Sequence, residues 1–183
     1  DAAFVAADLL AQSEHGADSQ VLLLSPSERL LAAVAREVTA QVAQLPRRDI
    51  AIAALAHARL IRVADLAEAV EVSERYAPEH LIVNTRDARA LLPDIGNAGS
   101  IFLGAWSPET VGDYCAGPNH VLPTSRSARY SSPLGVYDFQ KRSSLIMVSA
   151  DGAQSLGKIA MVLAEGEGLQ AHARSAAYRL RRS

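Results

Sequence analysis

Strand-like apolar runs alternating with helical stretches predict a layered α/β fold with parallel strand pairing. Two further observations shape that expectation. From about residue 105 to 142 the alternation gives way to Gly, Pro, Ser, Asn and Tyr, and after it one apolar run and two helical stretches close the chain. A tail of that size holds no core of its own and must pack on something.

Taken in order, Phe4, Val5, Leu9 and Leu10 recur at helical spacing, so 3–14 is expected as a helix stopped by Gly16. "QVLLLS" (20–25) is a buried strand between turn formers. Ser25, Pro26 and Glu28 read as a helix start, with Ser25 as the cap, Pro26 at the first helical position and Glu28 closing a capping box. That helix continues through "RLLAAVAREVTAQVAQL" to about Pro46, and a second spans 48–57. Strand "RLIRVA", a helix from Asp65 that must stop before Pro78, strand "HLIVN", short helix "DARALL" and strand "SIFLG" follow. The closing region holds strand "SLIMVS" and helices over 152–165 and 168–181. Ligands in such folds gather at the carboxyl ends of strands or the loops beside them.

Composition narrows the function classes. With 183 residues, 49% of them apolar, the chain can bury a substantial core. Its longest apolar runs fall short of a bilayer span, and no secretory leader pattern opens it, so an unexported, cytoplasmic protein is expected. One cysteine, Cys115, gives no disulfide and no sign of an oxidising compartment. The net charge of −2 is spread evenly except for Arg179, Arg181 and Arg182, which argues against nucleic acid. The first residue is Asp, already in helical register, so the chain is expected to be a piece of something longer.

The histidines are few enough to weigh singly. Gln12 and His15 share a helix face at i,i+3 and could offer an amide oxygen and an imidazole to one ion, or simply end a helix in water. Asp113 lies in "GDYCAGPNH" between Gly112 and Gly117, ahead of His120, in either a ligand loop or a solvated turn. Cys115 reads as filler, since nothing near it would lower its pKa. His172 comes early in the last helix, near Glu165 and Glu167, and His57 has no polar company. Glu79 and His80 stand out because they open a strand that wants burial, where unpaired ionisable groups cost several kcal/mol. A histidine near its free pKa can take a proton from a hydroxyl, and a carboxylate beside it can activate water. Neighbours in a regular strand face opposite ways, so both can serve one site only from the irregular stretch after Pro78.

Taken together, "SEHGADSQVLLLSP", "YAPEHL", "AGSIFLG", "SPETVGDYCAGPNHVLPT" and "EGLQAH", in this order, resemble the histidinol dehydrogenase family along essentially the whole chain. The resemblance implies zinc held by Gln12, His15, Asp113 and His172, with Glu79 and His80 as the acid/base pair. It further implies substrate contacts from Gln12, His15, His80, Asp113 and His172, joined by His120 at the forming carboxylate and Glu167 at the ammonium. The activity implied is oxidation of L-histidinol through an aldehyde to L-histidine with two NAD, the last step of histidine biosynthesis. The position of His172 would come from the partner subunit of a homodimer, so 135–183 is expected as a dimerisation arm. Residues 1–134 are then expected to be the C-terminal half of a Rossmann-like catalytic domain with an incomplete sheet. Family chains are more than twice this long and keep most NAD contacts upstream, and "GNAGS" is too short for a dinucleotide loop and follows no strand. A related zinc and NAD enzyme acting on another diol, such as sulfopropanediol, and a noncatalytic dimerising module are the competing expectations.

Overall fold

The structure is a computed structural model that describes residues 1–180. The end of the expected last helix, with Arg181 and Arg182, lies outside the described residues. Two compact units are present, Asp1–Phe139 and a second from Gln140 onward.

In the first unit, α1 (Ala2–Ser13) starts at Asp1, whose side chain accepts from Ala3 N at 2.8 Å. It packs on α2 (Glu28–Val42) and α3 (Arg48–Leu55) through Leu10, Val42 and Ala51, flanked by Val38, Leu45 and Leu55. Strands β1 (Leu22–Ser25) and β2 (Arg59–Arg62) pair in parallel, Leu23 opposite Leu60. Strands β3 (His80–Val83) and β4 (Ser100–Leu103) form a second parallel pair, His80 opposite Ser100 and Ile82 opposite Phe102. The alternating α/β architecture with parallel pairing is therefore present, as two separate two-stranded sheets.

The route into β3 is tightly determined. Helix α4 (Leu66–Tyr76) is capped at its start by Asp65, which accepts from Glu68 N at 2.9 Å, while Glu68 accepts in return from Ala64 N at 2.5 Å. It ends where buried Ala77 turns left-handed (φ 54°) ahead of Pro78. Arg126 and Arg129 both donate to the Arg75 carbonyl, the Arg126 bond measuring 2.6 Å, so the segment after residue 124 holds the last turn of α4 in place. Gly99 lies against the Glu79 backbone so closely that a Cβ there would sit 2.5 Å from the Glu79 carbonyl oxygen.

The structure departs from expectation at four places. The cap of α2 is Ser27, accepting from Leu30 N at 3.2 Å, because Ser25 is still in β1 opposite Arg62. "DARALL" becomes a 3-10 helix over Arg89–Asp94, where Pro93 removes an amide donor. The long segment is not irregular throughout: it holds helix α5 (Glu109–Tyr114). "SLIMVS" forms no strand, since no described strand pairs with it and Leu145, Ile146 and Met147 are exposed.

The second unit is a helical hairpin of α6 (Ala150–Gly166) and α7 (Gln170–Leu180), α6 being capped by Ser149 accepting from Gly152 N at 3.0 Å. Gly157 admits Leu180 at close range, and Gln154 donates to the Arg179 carbonyl at 3.0 Å. The turn is a Schellman motif. Left-handed Gly168 (φ 74°) donates to the Glu165 carbonyl at 3.0 Å and Leu169 to that of Ala164 at 2.8 Å.

Candidate active site

Helix α5 is the element on which the site is built. Glu109 and Asp113 are four residues apart and so share one face of it. Gly112 sets that helix against the ring of Phe102 on β4, and the same ring lies 6.0 Å, centroid to centroid, from the imidazole of His80. His80 is the first residue of β3, so the cluster reaches the amino end of its strand pair and not only the carboxyl side expected for such folds. From α1, Gln12 lies in the last turn and His15 just beyond it, where the helix has given way to a turn.

These side chains converge on Glu109, which is only 4% exposed. Its carboxylate oxygen lies 3.8 Å from His80 Nδ1 and 3.9 Å from His15 Nε2. The end of the Gln12 amide lies 2.8 Å from Oε1 and 3.2 Å from Oε2 of the same carboxylate, and assigning the nitrogen to that end makes it a donor to both. On the far side of the imidazole, His80 Nε2 faces Asp113 Oδ1 at 3.6 Å and is buried without a hydrogen-bond partner. Burial raises the Glu109 carboxyl to about 7, reinforced by the negative charges of Asp113, Glu79 and Asp8 in that order. Burial also raises the Asp8 carboxyl above its ordinary value.

The structure thus brings Gln12, His15, His80 and Asp113 around one buried carboxylate, with Glu79 close enough to act on its charge. His120 is exposed on the segment after α5. In the second unit, Glu167 and His172 line one cleft of about 380 Å³ between α6 and α7. Sequence reasoning missed Glu109 and Asp8. The signal for Asp8 was its i,i+4 spacing to Gln12 on a helix already expected, whereas the same spacing of Glu109 to Asp113 lay in a segment expected to be irregular.

A family model described as histidinol dehydrogenase matches residues 1–180. The chain belongs to the histidinol dehydrogenase family. It is similar to the histidinol dehydrogenase of Chromobacterium violaceum, 56% identical over 181 residues that cover 98% of this chain and 42% of the relative. That of Xanthomonas campestris pv. campestris (strain 8004) is 56% identical over 178 residues, 97% of this chain and 41% of the relative. The crystal structure of histidinol dehydrogenase from Elizabethkingia anophelis superposes with a TM-score of 0.92 at 41% identity, covering 99% of this chain and 42% of that one. The chain therefore spans about two fifths of the length of the curated relatives it matches.

The donor chemistry of this histidinol dehydrogenase family member suits a divalent cation. His80, Glu109 and Asp113 each bring one potential ligand atom within 4.8 Å of the others, and one of the His80 nitrogens, Nε2, is buried without a hydrogen-bond partner. Burial raises Glu109 and the negative charges of Asp113, Glu79 and Asp8 add to it, and a cation here would offset that added repulsion. Imidazole, carboxylate and amide oxygen together match zinc with room for further ligands better than a closed thiolate site. The "GNAGS" loop offers little to a dinucleotide, because Gly96 N and Asn97 N both donate to Glu74 Oε1 at 3.0 Å and Gly99 N to the Pro78 carbonyl at 2.9 Å. Among the described residues, no helix is long and apolar enough to cross a membrane.

Proposed function

We propose that the chain carries the metal and acid/base half of a histidinol dehydrogenase, an oxidoreductase of histidine biosynthesis that takes L-histidinol through the aldehyde to L-histidine. The observation that carries this reading is the convergence of Gln12, His15, His80 and Asp113 around buried Glu109 in a chain matched over residues 1–180. When bound, zinc supplies a fixed positive charge that orients the substrate's nitrogens, and NAD accepts the hydride of each oxidation.

Gln12, His15 and Asp113 would hold the zinc, with His172 supplied by the partner subunit of a homodimer. His80 takes the substrate's hydroxyl proton at Nε2, the nitrogen that is buried and unpartnered, while Nδ1 is turned toward Glu109. Glu79, one residue ahead of β3, activates the water that adds to the aldehyde, and His80 serves again as base in the second oxidation. Glu167 holds the substrate's ammonium and His120 the carboxylate as it forms. NAD contacts are assigned to chain beyond these residues.

Residues 135–183 are read as an arm that docks on a second copy, with 1–134 as part of the Rossmann-like catalytic domain. The exposed apolar side chains of Leu145, Ile146 and Met147, and of Ile159, Val162 and Leu163 on α6, support that reading, since so many large apolar groups left uncovered favour a partner.

The test is steady-state NADH formation by the intact protein with L-histidinol, compared with His80→Asn and Glu79→Gln. His80→Asn is expected to lower kcat by about 10²–10⁴-fold with zinc content unchanged, and Glu79→Gln to slow the second oxidation more than the first. Wild-type turnover in both variants, or faster turnover of a sulfonated diol than of histidinol, would overturn the assignment.

A further inference from the structure

We propose that Arg126 and Arg129 are positioning residues for His80, acting through the backbone that leads into β3. The inference rests on His80 being the base, as read above, and adds two residues that act through it. Their guanidinium groups converge on one acceptor, the Arg75 carbonyl in the last turn of α4, from 51 and 54 residues away in sequence. That carbonyl is among the last four of the helix, which have no partner within it, and it lies at the negative end of the helix dipole, where a cation is favoured. Two charge-assisted bonds to it therefore fix the end of α4 more firmly than the helix does by itself.

From Arg75 the chain reaches His80 through Tyr76, Ala77, Pro78 and Glu79, a path with little slack. Ala77 is buried and left-handed (φ 54°), Pro78 has a fixed φ, and the Glu79 carbonyl accepts from Ser100 N at 2.8 Å. A shift of the end of α4 is therefore passed to the start of β3, where the His80 ring faces Phe102 and the carboxylates of α5. The segment that carries the two arginines grips this junction at its other end as well. Pro123 is buried, and its Cδ would lie 3.1 Å from a Cβ on Gly99, the residue that backs the Glu79 carbonyl. Between the two grips the segment is braced internally: Ser127 N and Oγ both donate to the Thr124 carbonyl, at 2.9 and 2.6 Å, and Ala128 is buried. Ser125 and Arg126 both take left-handed backbone (φ 51° and 66°), which costs energy in consecutive non-glycine residues and persists where the surroundings enforce it.

The experiment is a mutant cycle on the intact, zinc-loaded protein. Enzyme, NAD and L-histidinol are mixed in a stopped flow and the first NADH formed is recorded, so that the first oxidation is followed alone. The proteins are wild type, Arg126→Met, Arg129→Met, the variant with both changes, His80→Asn, and His80→Asn with both changes. Melting, far-UV circular dichroism and zinc content establish that each is folded and loaded. Losing both arginines is expected to slow the step about 10–100-fold, the scale of a misplacement of about 1 Å at a reacting group. The KM for histidinol should change less than about 3-fold, because ground-state binding is not what His80 supplies. Each single change should cost less than the pair, since the other guanidinium still holds the carbonyl. In the His80→Asn protein the pair should cost less than about 3-fold, because the group it positions is gone. Arg129→Lys in the Arg126→Met protein keeps a cationic donor and should recover most of the rate lost by the pair.

An equal loss with and without His80 would mark a general loosening of the chain rather than a placement of the imidazole, and would overturn the proposal. So would a wild-type rate in the folded, loaded protein that lacks both arginines, or a lysine variant that recovers nothing. A wild-type rate in His80→Asn alone would instead refute the base assignment, and this proposal with it.

Discussion

Replacing Gly112 with alanine probes whether α5 positions the site. The added Cβ would lie 2.4 Å from Phe102 Cε1 and 2.7 Å from Cζ, against an ordinary carbon contact of about 3.5–4.0 Å, so something must yield by more than about 1 Å. If the ring yields, it disturbs the neighbour on its other side, His80, 6.0 Å away between ring centroids. If the six-residue helix yields, it carries Asp113, the next residue, and Glu109, less than one turn back, away from His80. Overpacking costs about 1–3 kcal/mol, and alanine recovers up to about 1 kcal/mol of helix propensity, so global stability should fall by no more than about 3 kcal/mol. Geometry should suffer more, because a displacement of about 1 Å can cost about 100-fold at a site that depends on convergence. Urea unfolding read alongside a Zn²⁺ competition titration separates the two effects. The expected result is a urea midpoint lowered by no more than that loss implies, with at least a 10-fold weaker Kd in protein that is still folded, and Gly166→Ala, which meets nothing within 4 Å, serves as the silent control. Native affinity in Gly112→Ala would show that α5 does not set the site.

Gly99→Ala presses a Cβ onto the Glu79 carbonyl, which is backbone and already accepts from Ser100 N at 2.8 Å, so a loss of about 2 kcal/mol or more in urea unfolding is expected. Glu109 makes metal-free stability depend on pH. Its carboxyl sits at about 7 in the fold against 4.5 ordinarily, so between those values the folded chain keeps a proton that the unfolded chain has lost. Stability should therefore fall by about 3 kcal/mol as the pH rises from about 4.5 to 7, then level off. Saturating Zn²⁺ or the Glu109→Gln substitution should flatten that slope, and urea midpoints across the window check both. A metal-free wild-type profile that is flat or rising there would show that Glu109 is not held in an unfavourable setting.

What the sequence made legible was whatever repeats along the chain. The four strands of the first unit and the helices around them follow from apolar spacing and turn residues, and Asp65 was readable as a helix start because its capping partner Glu68 is local. The cap of α2 was misplaced by two residues because "SPSE" offers two serines, and only pairing with Arg62 reveals that Ser25 still belongs to β1. Helix α5 was hidden for a different reason. Six residues hold less than two turns, too few for a period to emerge from a segment rich in Gly and Pro. With the helix went Glu109, whose spacing to Asp113 has meaning only once a helix is known to be there. "SLIMVS" misled in the opposite direction, since an apolar run reads as a strand while the hydrogen-bond partners that make one must come from elsewhere. Gln12, His15, Glu79, His80 and Asp113 could be named from motifs, but their approach to a common buried carboxylate depends on packing between α1, α5 and β3 that no local pattern encodes.

The most direct measurement is anomalous diffraction at the zinc edge from crystals of the intact protein. The account predicts one zinc per subunit, about 2.0–2.3 Å from donor atoms of Gln12, His15 and Asp113 and of a His172 contributed by a second copy. A single zinc seated instead among His80, Glu109 and Asp113 with Gln12 turned away, or crystals grown in excess zinc that show no peak here, would contradict it.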